Sequence, residues 1–246
     1  MKTIVQSILK PFGLRLSRLE SVQAPDYGAG VLFSTLKRFG FSPGCVLDVG
    51  ANRGNWTREA LKYFPDAEYL LIEPQDHLKV HVQDLIDAGR KIRWINAGAA
   101  DKSGTLRFFV SDRDDSSTFL PREEQPQTRV ASETSVEVLT LGAIVEKYKV
   151  PVPDMAKIDA EGFDLKVIQG ASSLIGKTDV FLLEAGVACP FENSVARVIS
   201  TMEDLGYRLV DITELNRSPK HTVLWLTELA FLRKSSPLLA SVTSYE

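Results

Sequence analysis

The decapeptide CVLDVGANRG at positions 45–54 constrains the fold more than any other segment. A continuous apolar run that ends in glycine and opens into a helical pattern reads as a buried strand followed by a strand-to-helix turn. The pattern then repeats. Apolar runs at 45–50, 67–73 and 91–98 alternate with helix-period segments at 56–64 and 77–88, stopped by Pro65 and Gly89. Strands joined by helical crossovers must pair in parallel, with right-handed connections.

The regularity lapses between 99 and 135, where short strands at 106–110 and 135–139 bracket the polar stretch SDRDDSSTFLPREEQPQTR. So long an aperiodic stretch inside one domain predicts a functional cap. The alternation resumes with helix 141–148, strand 154–160, helix 163–169, strand 179–185 and helix 192–205. Strands at 207–212 and 222–231 follow, and the turn between them is too short for a crossover, so they form an antiparallel hairpin. The expectation is an α/β, Rossmann-like sheet, mostly parallel with one antiparallel strand and helices on both faces. Its binding site belongs at the carboxyl ends of the strands.

At 246 residues and 44% hydrophobic, the chain suits a single domain over 31–246 behind an N-terminal extension over 1–30. Its formal charge of -3, from 29 basic and 32 acidic residues, supplies no general attraction for a phosphate backbone, so nucleic acid is not expected as a partner. Cys45 and Cys189, far apart in apolar stretches, read as reduced buried thiols. No apolar run is long enough to span a bilayer, and MKTIVQSILKPFG lacks the form of a secretory signal, so a soluble cytoplasmic protein is expected. Residues 1–25 make a basic amphipathic helical pattern, with Ile4, Val5, Ile8, Leu9 and Phe12 on one stripe among Lys2, Lys10, Arg15 and Arg18. Packing against the domain or a second subunit is the preferred reading, peripheral membrane contact the other. Oligomeric state is left open.

The turn after the first strand runs Asp48, Val49, Gly50, Ala51, Asn52, Arg53, Gly54. Dinucleotide spacing would put the third glycine at position 55, but Asn55 stands there and the glycine is Gly54, with Asn52 in the middle place. Glu73 ends the second strand 23 residues after Gly50. A carboxylate there can accept hydrogen bonds from the vicinal hydroxyls of a ribose. A nucleoside-bearing cofactor follows, and both S-adenosylmethionine and NAD qualify.

DVGANRG, then LIEP, INAGAADKSGTLRFF, VEVLTL, KIDAEGFDLKVIQGA and FLLEAG, resembles the FkbM family of S-adenosylmethionine-dependent methyltransferases. The likeness runs from about Val46 to Gly186, in order, and includes the K-I-D-x-E-G block and the later Gly170. It implies the class I methyltransferase fold, seven strands with the last antiparallel, and O-methylation of a hydroxyl on a saccharide or glycosylated metabolite. It also implies that Asp48, Gly50, Ala51, Asn52 and Gly54 form the cofactor loop, that Glu73 holds the ribose, and that Asn96 and Ala97 lie beside the adenine. Beyond Gly186 the likeness is weak.

Methyl transfer to a hydroxyl needs the acceptor oxygen in line with the methyl group and a group to take its proton. Lys157, Asp159, Glu161 and Glu184 are the candidates, with Lys157 and Asp159 on one strand face. Either one carboxylate acts as base, or Asp159, Glu161 and Glu184 hold Mg2+; the metal-free reading is preferred because no His or Asn completes a ligand set. Structural roles compete: Glu161 as a helix cap, and Lys157 as the partner of Asp159 or Asp48. In the irregular segment Ser116 and Ser117 offer hydroxyls to a sugar, and Phe119 or Trp56 offers an aromatic platform. His77, His81 and His221 read as exposed, although His81 could reach the cleft. An NAD-dependent oxidoreductase and a catalytically silent binding module are the alternatives to the methyltransferase.

Overall fold

Cys45–Val49 (β1) is buried at every position, as a strand must be when both its faces and both its edges are covered. It pairs in parallel with Glu68–Ile72 (β2) on one side and Met155–Ile158 (β7) on the other. Ile92–Ile95 (β3) and Val180–Gly186 (β8) extend the two sides in parallel. The hairpin of Tyr207–Arg217 (β9) and Leu224–Arg233 (β10) completes a seven-stranded sheet in the order β3-β2-β1-β7-β8-β10-β9. β10 runs against both β8 and β9. The fold is the expected α/β class I methyltransferase architecture. The structure is a computed structural model that describes residues 28–113, 116–121, 129–190, 192–242 and 244. The amphipathic pattern of 1–25, and Asp114 and Asp115 of the polar stretch, lie outside the described residues.

Alternation along the strands gives the sheet two apolar faces. On one, Val46, Tyr69, Leu71 and Leu182 meet Leu32, Phe33 and Leu36 of helix Ala29–Arg38 (α1) and Ala60 and Leu61 of helix Asn55–Tyr63 (α2). On the other, Leu47, Leu70, Ile158 and Leu183 meet Leu141–Tyr148 (α4), Asp164–Gln169 (α5) and Val195–Asp204 (α6). Gln83–Asp87 (α3) lies between β2 and β3 in the chain, and Pro237–Ala240 (α7) follows β10. Phe33 is 0% exposed, and burying such a side chain stabilises by about 1.5–3 kcal/mol.

Three elements differ from the sequence expectation. α1 has no side-chain cap at Gly28, so it carries no start signal. The helix expected over 77–88 is divided into a 3-10 stretch, Asp76–Val82, and α3; Val80 and Val82, both β-branched, weaken α-helical continuity. The irregular segment is a second, three-stranded sheet in the order β4-β6-β5, made of Gly98–Ala99 (β4), Gly104–Ser111 (β5) and Val130–Leu139 (β6). β6 is mostly exposed until its last residues, so the apolar alternation that marks a half-buried strand is missing from its sequence.

Candidate active site

Chain order reverses direction at β1, whose neighbours are β2 and β7, and the crevice beyond the strand ends opens there. The two strand exits meet closely. Asp159 N donates to Val49 O at 3.1 Å, and a Cβ on Gly50 would stand 1.8 Å from Asp159 O. Gly50 is therefore required by the neighbouring strand exit as well as by its own φ of 72°. Asn52 has a φ of 46°, a left-handed conformation that Asn tolerates well, which explains how it fills a place given to glycine in the usual loop. Gly54 meets a constraint from packing. Its φ is 73°, and a Cβ there would fall 2.4 Å from Val82 Cγ1, so packing against the 3-10 stretch demands glycine.

A cavity lies over this turn, lined by Gly50 and Asn52, by Glu73 and Gln75, by Ala97 to Ala99, by Phe108, Ser117 and Phe119, and by Asp159 to Glu161. Glu73 is 3% exposed. Its Oε2 accepts from Asn52 N at 2.9 Å and its Oε1 from Gln75 N at 3.0 Å and, more loosely, from Gln75 Nε2 at 3.4 Å. Burial pushes its carboxyl above the usual value, against the pull of the Gln75 and Asn52 amides. Ser117 Oγ accepts from Ser111 N at 3.1 Å and lies 3.4 Å from Gln75 Oε1. Phe119 packs on Gly98, 4.8 Å from the Phe108 ring.

Beneath the turn is a charged floor. Lys157 Nζ lies 3.0 Å from Asp159 Oδ2 and 3.5 Å from Asp48 Oδ1, and donates to Gly50 O at 3.2 Å. Burial alone would lower the Lys157 pKa, but Asp159, Asp48 and Glu228 hold it above the ordinary lysine range. Lys157 is thus a cation that ties the two strand exits together. Asp48 also accepts from Thr57 Oγ1 at 2.6 Å. Asp164, fully buried, accepts from Ala160 N at 3.2 Å and Asn193 Nδ2 at 2.9 Å. Burial, reinforced by Asp159, pushes its carboxyl up to about 7.

A second, wider cleft adjoins the first. Its walls include Ser116 and Arg129 from the inserted segment, Glu214, Lys220 and His221 from the hairpin, and Glu184 and Trp225. Asp159 and Glu161 line both spaces. Glu161 has a φ of 50°, and its carbonyl accepts from Thr118 Oγ1 at 2.9 Å, which fastens the inserted segment to the strand exit. Burial first, then Asp159, Glu161, Asp164 and Glu214, raise the Glu184 carboxyl well above the usual value. Burial likewise raises Glu214, with Asp159 adding to it.

Of the residues expected at the cofactor, Gly50, Asn52, Glu73 and Ala97 line the first cavity, whereas Asp48, Ala51, Gly54 and Asn96 do not. Asn96 Nδ2 turns back to Pro74 O at 2.9 Å and Glu73 O at 3.2 Å, bracing the second strand's exit. Ser117 and Phe119, expected against a sugar, line the first cavity only, while Ser116 faces the second. Trp56 packs edge-on to Phe33 at 5.3 Å and lines neither space, and His77 and His81 line neither. His221, read as merely exposed, does line the cleft. Among the described residues no three His, Cys, Asp or Glu are grouped to hold a metal ion, so Asp159, Glu161 and Glu184 are not a ready ligand set. Cys45 and Cys189 are buried and take part in no disulfide. Sequence pattern alone missed Gln75, Asp164, Asn193, Glu214, Trp225 and Glu228. Only Gln75, two residues past the strand-ending acid, had a positional signal.

The chain matches the family model described as Methyltransferase FkbM domain over residues 48–209. It belongs to the FkbM methyltransferase family. The matched span of this FkbM protein includes the glycine turn, Glu73, the inserted sheet, Asp159 to Glu161 and Glu184. No curated protein matches the chain. Among solved structures it is similar to precorrin-6y C5,15-methyltransferase from Geobacter metallireducens, at 12% identity and a TM-score of 0.46 over 89% of this chain and 92% of that one. It is similar also to Aeropyrum pernix fibrillarin with bound S-adenosyl-L-methionine, at 13% identity and a TM-score of 0.43 over 80% and 74%. Among the described residues no helix is long and apolar enough to cross a membrane.

Proposed function

We propose that this methyltransferase uses S-adenosylmethionine to methylate a hydroxyl of a saccharide or glycosylated metabolite. One observation carries the reading: Asp159 and Glu161 belong to the walls of both spaces, so a donor in one and an acceptor in the other meet at a pair of carboxylates. The first cavity suits an adenosyl group in its apolar walls of Ala97, Gly98, Phe108 and Phe119 and in the buried Glu73 carboxylate at its edge. When bound, S-adenosylmethionine supplies an electrophilic methyl group on a sulfonium.

The chain's own residues do the rest. Glu73, already oriented by the Asn52 and Gln75 amides, keeps lone pairs for ribose hydroxyls. Lys157 holds Asp159 at the junction of the two spaces. Asp159 accepts the hydroxyl proton as the acceptor oxygen gains its methyl group, and Glu161 stands with it where the two spaces meet. Trp225 offers the wider cleft a flat apolar surface for a sugar ring.

The test is mass spectrometry of glycans and small metabolites from cells with and without the protein, followed by transfer of labelled methyl from S-adenosylmethionine to the compound that differs. A one-methyl gain on a sugar oxygen supports the reading; label on nitrogen or carbon overturns it.

A further inference from the structure

We infer that Ser117 and Thr118 are positioning residues whose adjacent hydroxyls couple the two spaces, so that a ligand in the cavity over Gly50 fixes the wall that the inserted segment gives the wider cleft. Calling that ligand the methyl donor rests on the function proposed above; the coupling rests on hydrogen bonds. Thr118 N donates to Phe109 O at 3.0 Å and Phe109 N to Thr118 O at 2.8 Å, so the residues around Thr118 lie along β5 as a strap. Ser117 and Phe119 line the first cavity, and Ser116 lines the wider cleft. The strap therefore belongs to the partition between them, and a shift of its backbone reshapes both.

Each hydroxyl ties one space to the other. Ser117 lines the first cavity, and its Oγ accepts from Ser111 N at 3.1 Å; Ser111 lines the wider cleft. The same Oγ donates to Gln75 Oε1 at 3.4 Å, and Gln75 Nε2 lies 3.4 Å from Glu73 Oε1. The contacts thus run from the acid at the cavity's edge to the end of β5. The two longest of them meet at the Gln75 carboxamide, whereas Asn52 N and Gln75 N hold Glu73 at 2.9 and 3.0 Å. That carboxamide is the joint that a ligand on Glu73 shifts, because new donors to the carboxylate displace its longest hydrogen bond first.

Thr118 supplies the second tie. It is buried, and its Oγ1 accepts from Leu120 N at 3.1 Å while donating to Glu161 O at 2.9 Å. Glu161 lines both spaces in a left-handed conformation that a residue with a side chain holds only when its surroundings enforce it. The Thr118 hydroxyl enforces it from the strap, and Asp164 Oδ1, accepting from Ala160 N at 3.2 Å, steadies the preceding residue from α5. Hydroxyls that served only to hold the inserted sheet together would bond within it. Both of these reach out of that sheet, to Gln75 after β2 and to Glu161 after β7.

The experiment is hydrogen exchange read by mass spectrometry on the full chain, free and saturated with S-adenosylhomocysteine. In wild type the ligand slows exchange at 50–54 and also at 111–113 and 129–132, beside the wider cleft, by about fivefold or more, the lower end of ordinary coupling between sites. Ser117→Ala, Thr118→Val and Gln75→Leu each keep the slowing at 50–54 and diminish it beside the cleft, with circular dichroism at the wild-type level; Thr118→Ser restores it. Slowing confined to the first cavity in wild type, or slowing beside the cleft undiminished in any of the three that folds, overturns the proposal. Failure of wild type to bind S-adenosylhomocysteine overturns the methyl-transfer reading instead. The free proteins then decide the coupling: Thr118→Val speeds exchange at 109–113 and 160–164 together if it exists, and at 116–120 alone if it does not.

Discussion

Replacing Glu228 by glutamine should stabilise the protein in alkali and leave it nearly unchanged in acid. Glu228 lies behind the cleft at 7% exposure, and burial pushes its carboxyl from the ordinary 4.5 up to about 7, with the Thr213 hydroxyl and Lys157 opposing the rise. A carboxyl that holds its proton more tightly in the folded state favours folding most when pH lies below the unfolded value. That contribution is lost as pH climbs through the folded one. At about 1.4 kcal/mol per pH unit, the rise corresponds to about 3 kcal/mol lost between pH 4.5 and 7. Glutamine keeps an oxygen to accept from Thr213 Oγ1 and has no charge to bury. Urea unfolding followed by circular dichroism at pH 4.5 and pH 8 gives the two free energies for each protein. Glu228→Gln should match wild type within about 1 kcal/mol at the lower pH and exceed it by about 2–3 kcal/mol at the higher. An equal effect at both values, or a loss of stability at pH 8, would refute the picture of a charge buried against its preference.

Glu73→Ala removes charge-assisted hydrogen bonds to the ribose, so calorimetry should find S-adenosylmethionine binding weakened by roughly 1.5–3 kcal/mol; an unchanged affinity means that Glu73 does not hold the sugar. Asp159→Asn should leave cofactor affinity within about twofold and lower turnover by about 10²-fold or more. Undiminished turnover would assign the proton to another group. Activity should survive exhaustive treatment with EDTA, and loss restored by added Mg2+ would bring back the metal reading.

The strands and the first cavity's edge were largely legible in the sequence, because local physics dictates them. A five-residue run that must be buried on both faces reads as β1, and an acid ending the next such run reads as Glu73. The hairpin was legible from the brevity of its turn, although both strands run longer than apolar pattern alone suggests, with β-bulges that shift the register. Those bulges also hide cross-strand neighbours: that Glu214 of β9 stands beside Glu228 depends on pairing, not on spacing along the chain. The packing demand on Gly54 was not legible, since the Val82 side chain that imposes it arrives from a distant segment. Short strands at 106–110 and 135–139 were legible in the inserted segment, but the first half of β6 was not, because most of β6 is exposed and so lacks an apolar period.

A crystal structure of the protein with S-adenosylhomocysteine tests the central claim most directly. The account predicts the ligand in the cavity over Gly50, its ribose hydroxyls on the Glu73 carboxylate and its sulfur turned toward Asp159 and Glu161. A ligand bound outside that cavity, or a ribose that leaves Glu73 with only its Asn52 and Gln75 partners, would contradict it.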